Sequence, residues 1–124
     1  MSYNIDTFKL KKVRLTLPID IKFDKYVDWL DEESVIGNFD KGTWSINDNG
    51  EGFEMQGKIT KAGLEVTNVK VNGEGSGHDY EDLLKPLFVD YKGDLEAVMI
   101  WEGGDSITSI SIVNGKVTEK EIEL

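Results

Sequence analysis

Cysteine is absent from this 124-residue chain, so it has no disulfide, thiolate nucleophile or cysteine metal ligand. Histidine occurs once, at His78, and arginines are not clustered. A lone imidazole beside Asp79 can act as a base, but Ser76 stands too close along the chain to be its nucleophile, and no Gly-x-Ser-x-Gly elbow presents a serine. Gly73, Gly75 and Gly77 have the wrong spacing for a dinucleotide or P-loop fingerprint, and Glu74 and Asp79 beside them repel anions. Residues 47–52 concentrate oxygen ligands. Calcium-loop register nevertheless places Ser45 and Gln56, or Asn47 and Lys58, at its first and last positions, so the segment reads as a hairpin loop. No apolar run approaches the about 18 residues of a membrane helix, and no basic-then-apolar leader opens the chain. These absences predict a soluble cytoplasmic protein without catalytic residues, cofactor or metal site.

Charge is what the chain has in excess. Its formal net charge is −10, and the distribution is uneven. Residues 1–25 carry six basic side chains (Lys9, Lys11, Lys12, Arg14, Lys22, Lys25) against three acids, whereas residues 26–124 carry eight against 21. Such a surface disfavours direct binding to nucleic acid or anionic membrane and favours a basic partner. The lysines near Arg14 read as protection of an edge strand.

Periodicity predicts the elements. Strict alternation over residues 12–23 marks a strand, with Pro18 at a sheet edge or a split and a bulge at Lys11-Lys12. Residues 24–33 suit a short amphipathic helix capped by Asp24, with Tyr26, Val27 and Leu30 inward, Trp29 at the margin and Asp28, Asp31, Glu32 and Glu33 outward. Residues 42–47, 53–60 and 64–71 read as strands, with a bulge at Thr67-Asn68. Tyr80, Leu83, Leu84, Leu87, Phe88 and Tyr91 recur at helical spacing, with Ser76 or Asp79 as cap, Gly93 as a left-handed stop and Pro86 as a kink or a second start. Residues 95–102, 106–113 and 116–123 complete a meander. A type I′ turn at Asn114-Gly115 joins its last two strands, and a bulge is expected near Ser109 or Ser111.

The expected fold is therefore one α+β domain: a mostly antiparallel sheet of about six to eight strands with two amphipathic helices. The order is β-α-β-β-β-α-β-β-β, an α-β-β-β pseudo-repeat with Trp44 and Trp101 at comparable positions. The expected function is that of a non-catalytic acidic binding or inhibitor protein directed at a basic partner. One form is a nucleic-acid mimic that blocks a nuclease, restriction or other DNA- or RNA-handling enzyme, of the anti-defence or toxin-immunity type. Candidate contacts are Asp28, Asp31, Glu32, Glu33, Glu81, Asp82, Asp90, Glu102 and Asp105. Two other classes compete. One is a small-ligand or sensory domain with Trp29, Trp44, Trp101, Tyr80 and Phe88 around a pocket; the other is an assembly subunit that forms homo-oligomers through a sheet edge.

Overall fold

In a computed structural model, residues 4–28, 30, 35–38, 40–47, 52–104 and 106–123 are described. Among these residues eight strands form: β1 (Ile5–Leu17), β2 (Val35–Asn38), β3 (Thr43–Asn47), β4 (Phe53–Thr60), β5 (Gly63–Val71), β6 (Asp94–Trp101), β7 (Ser106–Val113) and β8 (Lys116–Glu123). They build one sheet in the order β2-β3-β4-β5-β1-β6-β7-β8, and every pairing is antiparallel. Strand β1 is its seam. Ile5 to Arg14 pair with β6, and Leu15 to Leu17 pair with β5.

The bulge expected at Lys11-Lys12 is present as a register shift between Leu10 and Lys12. It lets Phe8 and Leu10 share the core side with Val13, Leu15 and Leu17 despite the change of phase. The strand ends before Pro18, and Ile19, expected to continue the buried face, is 58% exposed. Because β1 is central, protection of an edge does not explain its lysines. A further shift, not expected, falls between Ile5 and Thr7 of β1, and a third, between Gln56 and Gly57 of β4, leaves Thr67 of β5 as the extra residue, at the expected Thr67-Asn68 site. No bulge forms near Ser109 or Ser111. Strand β7 keeps an unbroken register with both neighbours, Thr108, Ile110 and Ile112 facing inward and Ile107 and Val113 lying on the opposite face.

Among the described residues one helical segment, residues 76–90, covers the core side of the sheet. It buries Tyr80, Leu83, Leu84, Leu87 and Phe88, while Tyr91 is 36% exposed. It begins as α1 (Ser76–Asp79), widens into a π-helical turn (Tyr80–Leu84) and resumes as α2 (Lys85–Asp90). The Lys85 amide reaches Tyr80 O, five residues back, so the widened turn sits just before Pro86, which has no amide of its own to donate. Pro86 thus opens a second helical piece rather than breaking the rod. The expected caps are not used. Gly75 precedes the first turn, and the buried Ser76 hydroxyl instead accepts the Ile5 amide at 2.6 Å and donates to Gly73 O at 2.6 Å, tying the helix start to β1. At the other end, Lys92 rather than Gly93 has positive φ. Gly93 is required for space, since a Cβ there would lie 2.7 Å from Leu15 Cδ1 and 2.8 Å from Phe88.

The second expected helix, over residues 24–33, does not form. Among the described residues of this stretch only a 3-10 turn (Phe23–Lys25) occurs, and Phe23, Val27 and Leu30 are buried without regular helix around them. A single turn is too short to sustain itself in isolation, and the Asp24 cap is not made: Lys22 occupies the cap position and its side chain does not cap the turn. The order is therefore one strand, four strands, one helix and three strands, which removes the α-β-β-β repeat and the two-helix α+β arrangement. Trp44 falls on the second strand after the 3-10 turn and Trp101 at the end of the first strand after the helix.

The β7-β8 hairpin turns on Asn114 (φ 50°) and Gly115 (φ 80°), as the type I′ reading requires. Asp94 braces it: its carboxylate accepts the Asn114 amide at 2.7 Å and the Arg14 Nε–H at 2.6 Å. The Arg14 bond first, and the Asn114 amide second, hold this carboxyl at about 2, below its ordinary 3.8. A depressed carboxyl stabilises the fold above its ordinary value, and that contribution disappears as the pH falls toward the folded-state value. Denaturation of wild type and Asp94→Asn across pH should therefore show a gap above about pH 4 that closes toward about pH 2. A gap independent of pH would show that the ion pair is not its source.

Candidate interaction surface

The helix runs beside the last strand, and their side chains meet at Lys85. Tyr80, 1% exposed, donates its hydroxyl to Glu119 Oε1 of β8 at 2.6 Å. Lys85 Nζ reaches the same oxygen at 3.1 Å and Glu81 Oε2 at 2.7 Å, and lies 5.4 Å from the centre of the Tyr80 ring. Burial pushes the Glu119 carboxyl up, but the bonds from Tyr80 and Lys85 outweigh it and hold it below its usual value. Burial likewise lowers Lys85, and its two carboxylates more than reverse this. These three charged side chains are 25–36% exposed, so each ion pair stabilises by at most about 1 kcal/mol. Their greater effect is geometric, since they fix the spacing between helix and strand.

Next to this junction lies an open groove of about 570 Å³, lined by Lys85, Pro86, Val89 and Asp90 of the helix and by Val117 and Glu119 of β8. Its apolar floor is partly solvated: Val89 is 42% and Val117 37% exposed. Asp90 accepts the Tyr26 hydroxyl at 2.6 Å, which anchors the chain after the 3-10 turn against the helix end. Burial first, and this bond second, push the Tyr26 phenol well above its ordinary range.

Strand alternation sorts the charges of β8 between two faces. Val117, Glu119 and Glu121 stand opposite the inward Ile112, Ile110 and Thr108, on the helix side. Lys116, Thr118, Lys120 and Ile122 lie on the outer side, opposite Val113, Ser111, Ser109 and Ile107. Lys9, Lys12 and Arg14 of β1, paired with Val98, Glu96 and Asp94, share that outer face. Lys9, Lys12 and Arg14 thus lie on the side of the sheet opposite Glu119 and Glu121, together with the acids Glu96 and Asp94 that pair with two of them.

The expected contact residues do not form one patch. Glu81 and Asp90 flank Lys85 and the groove; Asp28 and Asp82 are exposed. Glu102 takes the Asn4 side-chain amide at 2.9 Å, and Asn4 Oδ1 accepts the Gly75 amide, so Glu102 sits by the helix start, away from the groove. Asp31, Glu32, Glu33 and Asp105 lie outside the described residues, as does most of the 47–52 loop. Glu119, Glu121, Val117 and Val89 were not foreseen. The period-2 pattern of residues 116–123, lysines on one parity and glutamates on the other, was the available signal.

The aromatics proposed for a ligand pocket are otherwise engaged. Tyr80, Phe88 and Trp44 are buried in the core, and Trp44 also edges a shallow groove with Ser45, Gln56 and Lys58. Trp101 donates to Thr108 Oγ1 at 2.7 Å, and Trp29 lies outside the described residues. Among the described residues no three histidine or carboxylate side chains converge on a metal position. His78 is exposed on the first helical turn. No helix among the described residues is long and apolar enough to cross a membrane. The chain matches no protein-family model, no curated protein and no solved structure.

Proposed function

We propose that this chain is a non-catalytic binding protein that occupies a basic surface of another macromolecule from its helix side. The observation that carries the reading is the line of carboxylates Glu81, Asp82, Asp90, Glu119 and Glu121 along the helix and β8, whereas on the far face Lys9, Lys12, Arg14, Lys116 and Lys120 are interspersed with Asp94 and Glu96. A partner with a basic groove is attracted more strongly to the first side than to the second, which orients the encounter. Mimicry of nucleic acid, with carboxylates standing in for phosphates against a nuclease or restriction enzyme, is the narrower form, and it is confined to that one side.

Capture at low and high salt tests it. The protein should retain a basic nucleic-acid enzyme from a candidate host lysate at low salt and release it as salt rises. Charge reversal at two exposed positions, Asp28→Lys with Asp82→Lys, should weaken that retention by about tenfold. No partner under either condition, or a partner indifferent to salt and to the reversal, would overturn the reading.

A further inference from the structure

We propose that β8 is a docking strand, to which an extended segment of a partner protein adds as the next strand of the sheet, laying apolar and basic side chains into the groove beside the helix. The basic character of the segment rests on the function proposed above; the open strand does not.

Strand β8 ends the sheet order and pairs only with β7 among the described residues. The two-residue turn makes Val113 and Lys116 the closing hydrogen-bonded pair. Alternation then directs the backbone groups of Lys116, Thr118, Lys120 and Ile122 toward β7, and those of Val117, Glu119 and Glu121 outward. These outward groups form a ready template for another strand. The same three residues face the helix side, so an added strand would place alternate side chains over Val117, Val89 and Pro86.

A second copy of this chain is a poor occupant. A two-fold axis that makes two β8 strands antiparallel neighbours must pair residues of the same parity. Centred on Glu119, Lys120 or Glu121, the pairing sets that residue against itself; centred on Thr118, it sets Lys116 against Lys120. Like charges directly opposite destabilise a ladder. The charges that disfavour most registers of a copy favour a complementary strand. Toward the groove such a strand carries an apolar residue opposite Val117 and a cation opposite Glu121, because Lys85 already serves both Glu81 and Glu119. On its other face it carries acidic or hydroxyl residues against Lys116 and Lys120.

The probe is a short synthetic peptide with valine opposite Val117, lysine opposite Glu121 and glutamates opposite Lys116 and Lys120, together with a control in which every charge is reversed. Amide exchange should show protection at Val117, Glu119 and Glu121 on adding the peptide and none on adding the control. Glu121→Pro removes an outward donor and leaves the β7 ladder intact, and should weaken peptide binding by about tenfold or more. Val89→Arg, on the exposed helix face, should do the same by placing a charge where the peptide's valine packs over Val117. No peptide binding, protection away from β8, undiminished affinity in both variants, or a dimer whose contacts map to β8 would overturn the proposal. The two readings fail separately. If the Asp28 and Asp82 reversal releases a captured basic partner and Glu121→Pro does not, strand addition falls and the basic-partner reading stands. If the peptide docks on β8 and no basic partner is captured, the function falls and the docking strand stands.

Discussion

Gly57→Ala should destabilise the protein by at least about 3 kcal/mol, placing it among the most damaging single-methyl additions the chain can receive. A Cβ at this position would lie 1.6 Å from Glu65 O and 2.7 Å from Glu65 C, both backbone atoms of the neighbouring strand, and 3.0 Å from Trp44 Nε1. The two backbone atoms cannot swing aside as a side-chain tip would. The crowding arises because the Trp44 indole crosses Gly57 to donate to Glu65 O at 3.0 Å, one residue from where the Thr67 bulge resets the register. A methyl group there must separate β4 from β5 or break that bond and expose a tryptophan that is 2% accessible. Denaturant unfolding followed by tryptophan fluorescence measures the loss. A change below about 1 kcal/mol would mean that the strands have room the geometry does not show.

Phe88→Ala should cost about 3–5 kcal/mol, the usual range for truncating a buried aromatic. Phe88 is fully buried, and the Gly93 amide donates to its carbonyl at 2.9 Å. Gly115 of the hairpin turn also approaches that carbonyl, a Cβ there falling 3.5 Å away. A single helical segment covers the described sheet, so no second element can close over the cavity. Truncation at Tyr91, on the exposed margin of the same segment, should change stability by no more than about 0.5 kcal/mol. Equal losses at both positions would show that the helix does not anchor through Phe88. Loosening at Phe88 should also widen the gap to β8, because the Tyr80–Glu119 bond depends on a docked helix.

Local patterns in the sequence were sufficient for much of the fold. Alternation located seven of the eight strands, Asn114-Gly115 specified its turn, and the changes of phase at Lys11 and Thr67 marked two of the three register shifts, the one between Ile5 and Thr7 having no such signal. Each of these is a property of a few neighbouring residues. The failures also share a cause. Tyr26, Val27 and Leu30 fit a helical face, but their burial comes from contacts with distant segments, including the Tyr26–Asp90 bond across 64 positions. Over so short a span, periodicity cannot separate a helix from an irregular chain whose apolar residues are drawn into the core. For the same reason β2 went unrecognised. Its pairing with β3 is specified by the partner strand rather than by its own four residues.

The candidate surface follows the same division. Composition alone determined that the protein is acidic, without cysteine, and basic only near its start. It did not determine which carboxylates meet. Glu81 and Glu119 stand 38 positions apart and converge on Lys85 only because the helix lies along the last strand. That β1 is a seam rather than an edge, and β8 an edge rather than a seam, was likewise decided by strand order, which depends on pairings between residues as far apart as Ile5 and Trp101. Alternation assigns each charge to a face; only the packing of the helix against one of those faces decides which is the groove and which the open side.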